Sequence, residues 1–155
     1  VVAARPFNHI GPRQTPDYVT ASFAQQIALV EAGEAESVIR VGNLNAKRDF
    51  TDVRDVVAAY LLLMESGVSG EAYNIGSGQA VSIQKILGAF WDLGEVDIQV
   101  EPDPARIRPV DYPISYTGIQ KIGDATGWQP KIALTESLRD ILNFWRMQVR
   151  AHLDT

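Results

Sequence analysis

The segment RDFTDVRD, residues 48–55, determines how the chain around it is interpreted. Residues 48–51 are predicted to be extended, and Asp52 is the type of residue that caps a helix by accepting a hydrogen bond from its first backbone N–H groups. Apolar residues then recur at helical spacing, namely Val53, Val56, Val57, Tyr60, Leu61 and Met64. A turn at 67–70, with glycine at both ends, leads to a strand at 72–75. The region is therefore predicted to form a strand, a helix and a second strand.

Strands and helices alternate in the same way on both sides of this segment. We predict further strands at residues 1–7, 38–41 and 96–100, and further helices at 20–32, from Ser82 onward, at about 118–126 and from Thr135 onward. Such alternation is typical of the α/β class. Trp128 and Trp145 are assigned to the core of this fold.

The composition limits the classes of function. The chain has 155 residues, 46% of them hydrophobic, and a net charge of −5. An acidic chain is a poor match for the phosphate backbone of nucleic acids, so no nucleic-acid partner is expected. The chain has no cysteine, which excludes disulfides and thiolate metal sites and favours a reducing, cytoplasmic location. No apolar run reaches the roughly 20 residues of a membrane span, and neither a membrane contact nor a metal site is predicted.

The first residues, VVAARP, have the pattern of a buried strand that ends at a proline. Neither a turn nor a methionine precedes this strand in the sequence. We therefore expect the chain to be part of a longer protein.

Motifs for redox catalysis are missing from the sequence. The glycines do not form the G-x-G-x-x-G pattern that lets a backbone approach a dinucleotide, and GSG at 76–78 is interpreted as a strand-to-helix turn. No tyrosine is followed four positions later by a lysine. We therefore assign no catalytic residue. By contrast, Arg106 and Arg108 alternate in a proline-rich loop at 101–113, which places both on one side and suggests an anionic partner.

Four segments, in this order and at this spacing, resemble the extended short-chain dehydrogenase/reductase family: RPFNHIGP at 5–12, RDFTDVRD at 48–55, YNIGSG at 73–78 and GWQP at 127–130. Within that family the chain looks most similar to the GDP-mannose 4,6-dehydratases and the GDP-4-dehydro-6-deoxy-mannose reductases. The stretches at 41–44 and 103–111 favour the reductase type. One departure is Thr117-Gly118, where related chains usually carry Gly-Asp.

The resemblance implies a fold and an activity. Residues 1–16 would be a residual Rossmann strand with its connecting loop, and residues 17–155 mainly the C-terminal domain that binds the sugar nucleotide. The parent enzyme, expected to be a homo-oligomer, would use NAD or NADP, bound mainly by an N-terminal domain, for hydride transfer at C4 of a GDP-hexose. Reduction, dehydration and epimerisation stay open. The alternatives are an epimerase that acts on a UDP- or dTDP-sugar and a non-catalytic sugar-nucleotide-binding module.

The resemblance also implies contacts with both ligands. Cofactor contacts are expected at Pro6, Phe7, His9 and Arg13. Core packing explains Phe7 at least as well, and an ordinary hydrogen bond at a strand end explains His9. Substrate contacts are expected at Asn8, Val41, Asn43, Arg48, Arg106, Arg108 and Asp111.

Among these substrate residues, the family places Asn8, Arg48 and Arg108 at the diphosphate. A guanidinium can form two parallel hydrogen bonds with phosphate oxygens, which a lysine cannot match. Val41 and Asn43 would line the base pocket, and Asp111 would accept from a ribose hydroxyl. Two simpler interpretations stay open, in which Asn8 serves only its turn and Arg48 forms a salt bridge with Asp49 or Asp52.

Overall fold

A computed structural model describes residues 1–107 and 112–154. The strands in these residues are β1 (Ala3–Pro6), β2 (Asn8–Ile10), β3 (Val38–Val41), β4 (Lys47–Arg48), β5 (Phe50–Asp52), β6 (Ala72–Ile75), β7 (Val81–Ser82), β8 (Gln99–Pro102) and β9 (Ile114–Ser115). The helices are α1 (Val19–Glu31), α2 (Val53–Ser66), α3 (Ile83–Leu93), α4 (Gln120–Thr126) and α5 (Leu134–Leu153), with a 3₁₀ turn at Pro104–Arg106. Strands and helices alternate, so the predicted α/β class is confirmed.

Short strand pairs connect distant parts of the chain. The pairs β1–β6, β2–β5 and β3–β8 are parallel. Strand β4 lies between β7, which is antiparallel to it, and β9, which is parallel. Parallel pairing requires a long crossover, and helices supply it here.

The single strand predicted at 1–7 is wrong in one respect, because two strands occupy this region. Strand β1 pairs with β6, whereas β2 pairs with β5. Phe7 separates them, and its N–H donates to the carbonyl oxygen of Ile75. The chain therefore passes from one parallel partner to another at this residue, which periodicity cannot indicate. The strand predicted at 96–100 lies at Gln99–Pro102 instead.

The apolar side chains form two clusters. The larger one joins α1, β3, α3 and α5 and includes Phe23, Ile27, Phe90 and Ile141. The smaller one joins α2, β6 and α4, and Trp128 belongs to it. Trp145 packs against the larger cluster, so the assignment of both tryptophans to the core is confirmed. The predicted boundary at residue 16 is untested and stays a prediction.

Helix α2 buries a narrower face than its apolar pattern suggests. Its buried apolar side chains are Val56, Ala59 and Leu63, whereas Val57, Tyr60, Leu61 and Met64 are exposed. One stripe of the helix contacts α4 and the strands β1, β2 and β5 and shares an apolar cluster with β6, which leaves the flanking apolar positions uncovered. Spacing alone could not separate the two sets.

The start of α2 is fixed by charged groups. The Asp52 carboxylate accepts from the backbone N–H of Arg54, as predicted for a cap, and from the Arg54 guanidinium, which also reaches Asp140. Burial would raise the pKa of Asp52, but hydrogen bonds from Arg54 and Ser137 outweigh it and the pKa is lowered. These contacts join the start of α2 to α5.

Candidate functional site

A cavity of about 1250 Å³ opens between β2, α1, β3 and β4. It collects most of the residues that sequence analysis proposed for ligand contacts. The predicted residues that line it are Pro6, Phe7, Asn8, His9, Arg13, Asn43, Arg48 and Arg106. Residues predicted for cofactor and for substrate therefore share one cavity.

One wall of the cavity is built around Asn8 and Arg48. The Asn8 side-chain amide donates to the backbone carbonyl of Asp49 over 3.1 Å, so Asn8 is tied to the residue that follows Arg48. The Arg48 guanidinium donates through Nη1 to the carbonyl oxygens of Lys47 and Tyr112, both at 2.7 Å. These bonds hold the arginine against β4 and the segment that precedes β9.

Both aspartates proposed as salt-bridge partners of Arg48 have other hydrogen-bond partners for their carboxylates. The Asp49 carboxylate accepts from Ser77, Gly78 and Thr117. Asp52 is engaged by Arg54. The simpler interpretation of Arg48 as a salt bridge within its own segment therefore loses its support.

A second part of the lining is built by α1, β3 and the 3₁₀ turn that carries Arg106. Arg106 donates through Nη1 to the Ser22 hydroxyl over 2.9 Å and through Nε to Asp103 over 3.2 Å. One helical turn along, the Gln26 side-chain amide donates to Ser22 and holds the backbone of Arg40 at both its N–H and its C=O. A continuous hydrogen-bond chain thus runs from Arg106 to Arg40.

Val41, a predicted substrate residue, is not part of the cavity lining. Val41 has 2% of its surface exposed and lies in the larger core cluster. Its position on the strand therefore points its side chain away from the cavity. Arg108 and Asp111 lie outside the described residues. His9 and Arg13 are exposed, and His9 Nδ1 lies 3.3 Å from the Phe7 carbonyl oxygen.

The charge of the cavity is opposite to that of the whole chain. Its described lining contains four arginines, Arg13, Arg40, Arg48 and Arg106, and a single carboxylate, Asp17. The chain as a whole has a net charge of −5. Guanidinium groups converging on one cavity in an acidic protein favour an anion with several oxygens, such as a diphosphate.

Two contributors were missed by sequence analysis, Arg40 and Gly42. The sequence held a signal for Arg40, because it is the charged residue between two apolar ones in the strand VIRV. Gly42 gave none. A Cβ on Gly42 would lie 2.5 Å from the backbone oxygen of Arg106. The close approach of these two segments is a tertiary feature.

Replacing Gly42 by alanine is expected to push the segment carrying Arg106 away and to lower the free energy of unfolding by about 1–3 kcal/mol, because the obstructing atom is backbone. Urea unfolding followed by circular dichroism measures this. Gly88→Ala is the matched control. Gly88 is an exposed position within α3 with no atom near its missing Cβ, so alanine there should stabilise by roughly 0.5–1 kcal/mol. Equal stabilisation by both substitutions would show that the close contact at Gly42 is absent.

Metal binding has no support in the described part of the chain. Residues 1–107 and 112–154 contain no group of three or more histidine, aspartate or glutamate side chains arranged to hold a metal ion. Within the same residues, none of the helices combines the length and apolar character needed to cross a bilayer.

Comparison with known proteins identifies the family. A sequence profile described as GDP-mannose 4,6 dehydratase matches residues 1–141. The chain belongs to this family. The resemblance that the four sequence segments suggested is thereby confirmed.

Individual members of the family and their structural neighbours agree with this assignment. The GDP-6-deoxy-D-mannose reductase of Pseudomonas aeruginosa is 41% identical over 150 residues, which is 97% of this chain and 49% of that protein. The structure of RMD from Pseudomonas aeruginosa complexed with NADPH matches with a TM-score of 0.90 and 38% identity, over 96% of this chain and 49% of that one. A UDP-glucose 4-epimerase from Thermotoga maritima, solved with UDP-glucose, matches with a TM-score of 0.79 and 27% identity, over 96% and 46%. This chain thus spans about half the length of the family member it matches at 41% identity.

Proposed function

We propose that this chain is the substrate-binding part of an NAD(P)-dependent enzyme that acts at C4 of a GDP-hexose, either as a GDP-4-dehydro-6-deoxy-mannose reductase or as a GDP-mannose 4,6-dehydratase. The observation that carries the proposal is the basic cavity, in which Asn8, Arg48 and Arg106 line one space in an otherwise acidic chain. The similarity to a reductase of GDP-6-deoxy-D-mannose supports this choice of substrate class.

The arginines would hold the diphosphate. Arg48 and Arg106 both line the cavity, and contacts to carbonyl and hydroxyl oxygens already orient both guanidinium groups. Side chains that are oriented before binding lose less freedom when the ligand arrives. Arg108, outside the described residues, is proposed to add a second phosphate contact beside Arg106. Binding energy from the diphosphate, remote from the reacting carbon, would then position C4 of the sugar.

The cofactor is proposed to contact this chain only through a few residues of the cavity, among them His9 and Arg13. His9 and Arg13 are exposed at the cavity and offer a ring nitrogen and a cation, but the chain has no glycine fingerprint to receive a pyrophosphate. These two residues would contact NAD or NADP on the side that faces this chain. The nicotinamide, when bound, would accept or supply the hydride. The tyrosine and lysine that assist this transfer in the family lie outside the sequence of this chain.

Three further parts of the proposal concern the whole enzyme. Residues 1–16 would extend a Rossmann sheet, and the parallel pair β1–β6 with the exposed apolar side chains of α2 fits such an extension. The enzyme would be a homo-oligomer, and it would act in the cytoplasm.

Calorimetric titration of the chain with GDP, GDP-mannose, UDP and NADPH tests the proposal. GDP and GDP-mannose are expected to bind with similar affinity, because the oriented arginines contact phosphate, and NADPH is expected to bind weakly. Absorbance of NADPH with a GDP-hexose should not change, because the chain contributes no catalytic pair. Binding of UDP in preference to GDP would favour the epimerase alternative, and failure to bind any nucleotide would refute the proposal.

A further inference from the structure

We propose that Arg40 selects the base of the bound nucleotide by donating two parallel hydrogen bonds to O6 and N7 of guanine. The inference rests on the proposed function, since it names the residue of that cavity which distinguishes GDP-sugars from other sugar nucleotides. The family profile and the neighbouring structures include proteins named for GDP- and for UDP-sugars, so the choice of base must be made by residues within the site.

The placement of Arg40 is fixed by its strand. Its neighbours Ile39 and Val41 are buried in the larger core cluster, with 1% and 2% of their surface exposed. Side chains alternate along a strand, so Arg40 points to the opposite side, where it lines the cavity. The Gln26 side chain bonds both the N–H, at 2.9 Å, and the C=O, at 3.3 Å, of Arg40. The backbone that carries the guanidinium is therefore held firmly.

The guanidinium of Arg40 has all its donors available within the described residues. No side-chain hydrogen bond and no ion pair of Arg40 occurs in residues 1–107 and 112–154. Glu101 is its register neighbour on β8, yet the two do not come within the 4.0 Å of an ion pair. Arg106, by comparison, is engaged by Asp103 and Ser22. Within the part of the chain that the structure describes, Arg40 is thus a cation of the cavity without a hydrogen-bond or ion-pair partner for its side chain.

Arg40 and Arg48 are carried by different strands of the cavity lining, β3 and β4. Arg40 is joined to Arg106 through Gln26 and Ser22, whereas Arg48 is held by β4 and the Tyr112 carbonyl. A diphosphate held by Arg48 and Arg106 leaves the guanidinium of Arg40, on β3, available to another part of the ligand. The base is the part of a sugar nucleotide that presents a planar edge.

Guanine matches the guanidinium fork. Its O6 and N7 are adjacent acceptors, and an arginine satisfies both at once, whereas adenine replaces the O6 acceptor by an amino donor. Uracil lacks this pair of acceptors. Removal of one member of such a bidentate contact changes discrimination by about tenfold to a hundredfold.

Titration of the chain with GDP, 7-deaza-GDP, ADP and UDP tests this role. Wild type is expected to bind GDP more tightly than 7-deaza-GDP, which differs only in lacking the N7 acceptor, and than ADP or UDP. Arg40→Met should weaken GDP binding by about tenfold to a hundredfold and abolish the preference over 7-deaza-GDP. Arg40→Lys keeps the charge without the fork and should lose the same preference.

Arg139→Met is the control, because it removes one arginine from the exposed side of α5, away from the cavity. It should bind every nucleotide as wild type does. If Arg40→Met weakens GDP and UDP equally, Arg40 contacts phosphate and the inference is overturned. The same holds if Arg40→Met binds GDP as wild type does while Arg48→Ala does not. If wild type binds no nucleotide, the proposed function fails first and this inference fails with it.

Discussion

Arg48→Ala is expected to weaken binding of GDP and GDP-mannose by about tenfold to a hundredfold. Hydrogen bonds to charged groups contribute about 1.5–3 kcal/mol, and each 1.4 kcal/mol changes affinity tenfold. The guanidinium lines the cavity and is already oriented by the carbonyl oxygens of Lys47 and Tyr112. Arg48→Lys should recover only part of the loss, because a single ammonium cannot reproduce the fork. Calorimetric titration with both ligands measures the change.

Guanosine separates a phosphate contact from general damage. It lacks the diphosphate, so Arg48→Ala should leave guanosine affinity unchanged. Arg139→Ala, on the exposed side of α5, should leave both affinities unchanged. An equal loss for guanosine and GDP would refute the phosphate contact at Arg48. Arg108→Ala, at the residue that the family resemblance pairs with Arg48, should behave as Arg48→Ala does.

Asp49→Ala is expected to lower the free energy of unfolding by about 3 kcal/mol or more. The carboxylate is fully buried and accepts from the Ser77 N–H and hydroxyl, both at 2.6 Å, from the Gly78 N–H at 3.1 Å and from the Thr117 N–H at 3.3 Å. Alanine leaves three backbone donors without their acceptor, one in the buried residue Thr117 and two in the part-buried residues Ser77 and Gly78. A buried donor left unsatisfied costs about 1–3 kcal/mol. For a domain of this size the midpoint of thermal unfolding should fall by about 6–12 °C.

Urea unfolding of three variants distinguishes this role from a loss of charge. Asp49→Asn keeps the shape but turns a donor amide toward N–H groups, and it should lose less stability than alanine does. Asp92→Ala, at an exposed position of α3, should change stability by less than about 0.5 kcal/mol. An Asp49→Ala variant as stable as Asp92→Ala would mean that the Asp49 carboxylate does not hold the segments at Ser77–Gly78 and Thr117 together.

Asp49 also shows why part of the site could not be predicted. Its sequence position beside Arg48 suggested a local salt bridge, but its partners come from 28 to 68 residues away. Gly76 makes room for the carboxylate, since a Cβ there would lie 2.6 Å from Oδ2. An aspartate and a glycine so far apart in the sequence carry no shared pattern. Their contact exists only after strands β5, β6 and β9 are assembled.

The sequence by itself determined the alternation of strands and helices and the cap at Asp52, and it suggested Arg48 and Arg106 as anion-binding residues, which stays a prediction. Periodicity, capping preference and the chemistry of guanidinium are local properties, and they can be read without knowledge of the fold. The tertiary structure alone decided that α2 buries Ala59 rather than Leu61, that Val41 faces the core and that Arg40 faces the cavity. These outcomes depend on which elements pack against each side of a helix or strand, and that is set by contacts between residues far apart in the chain.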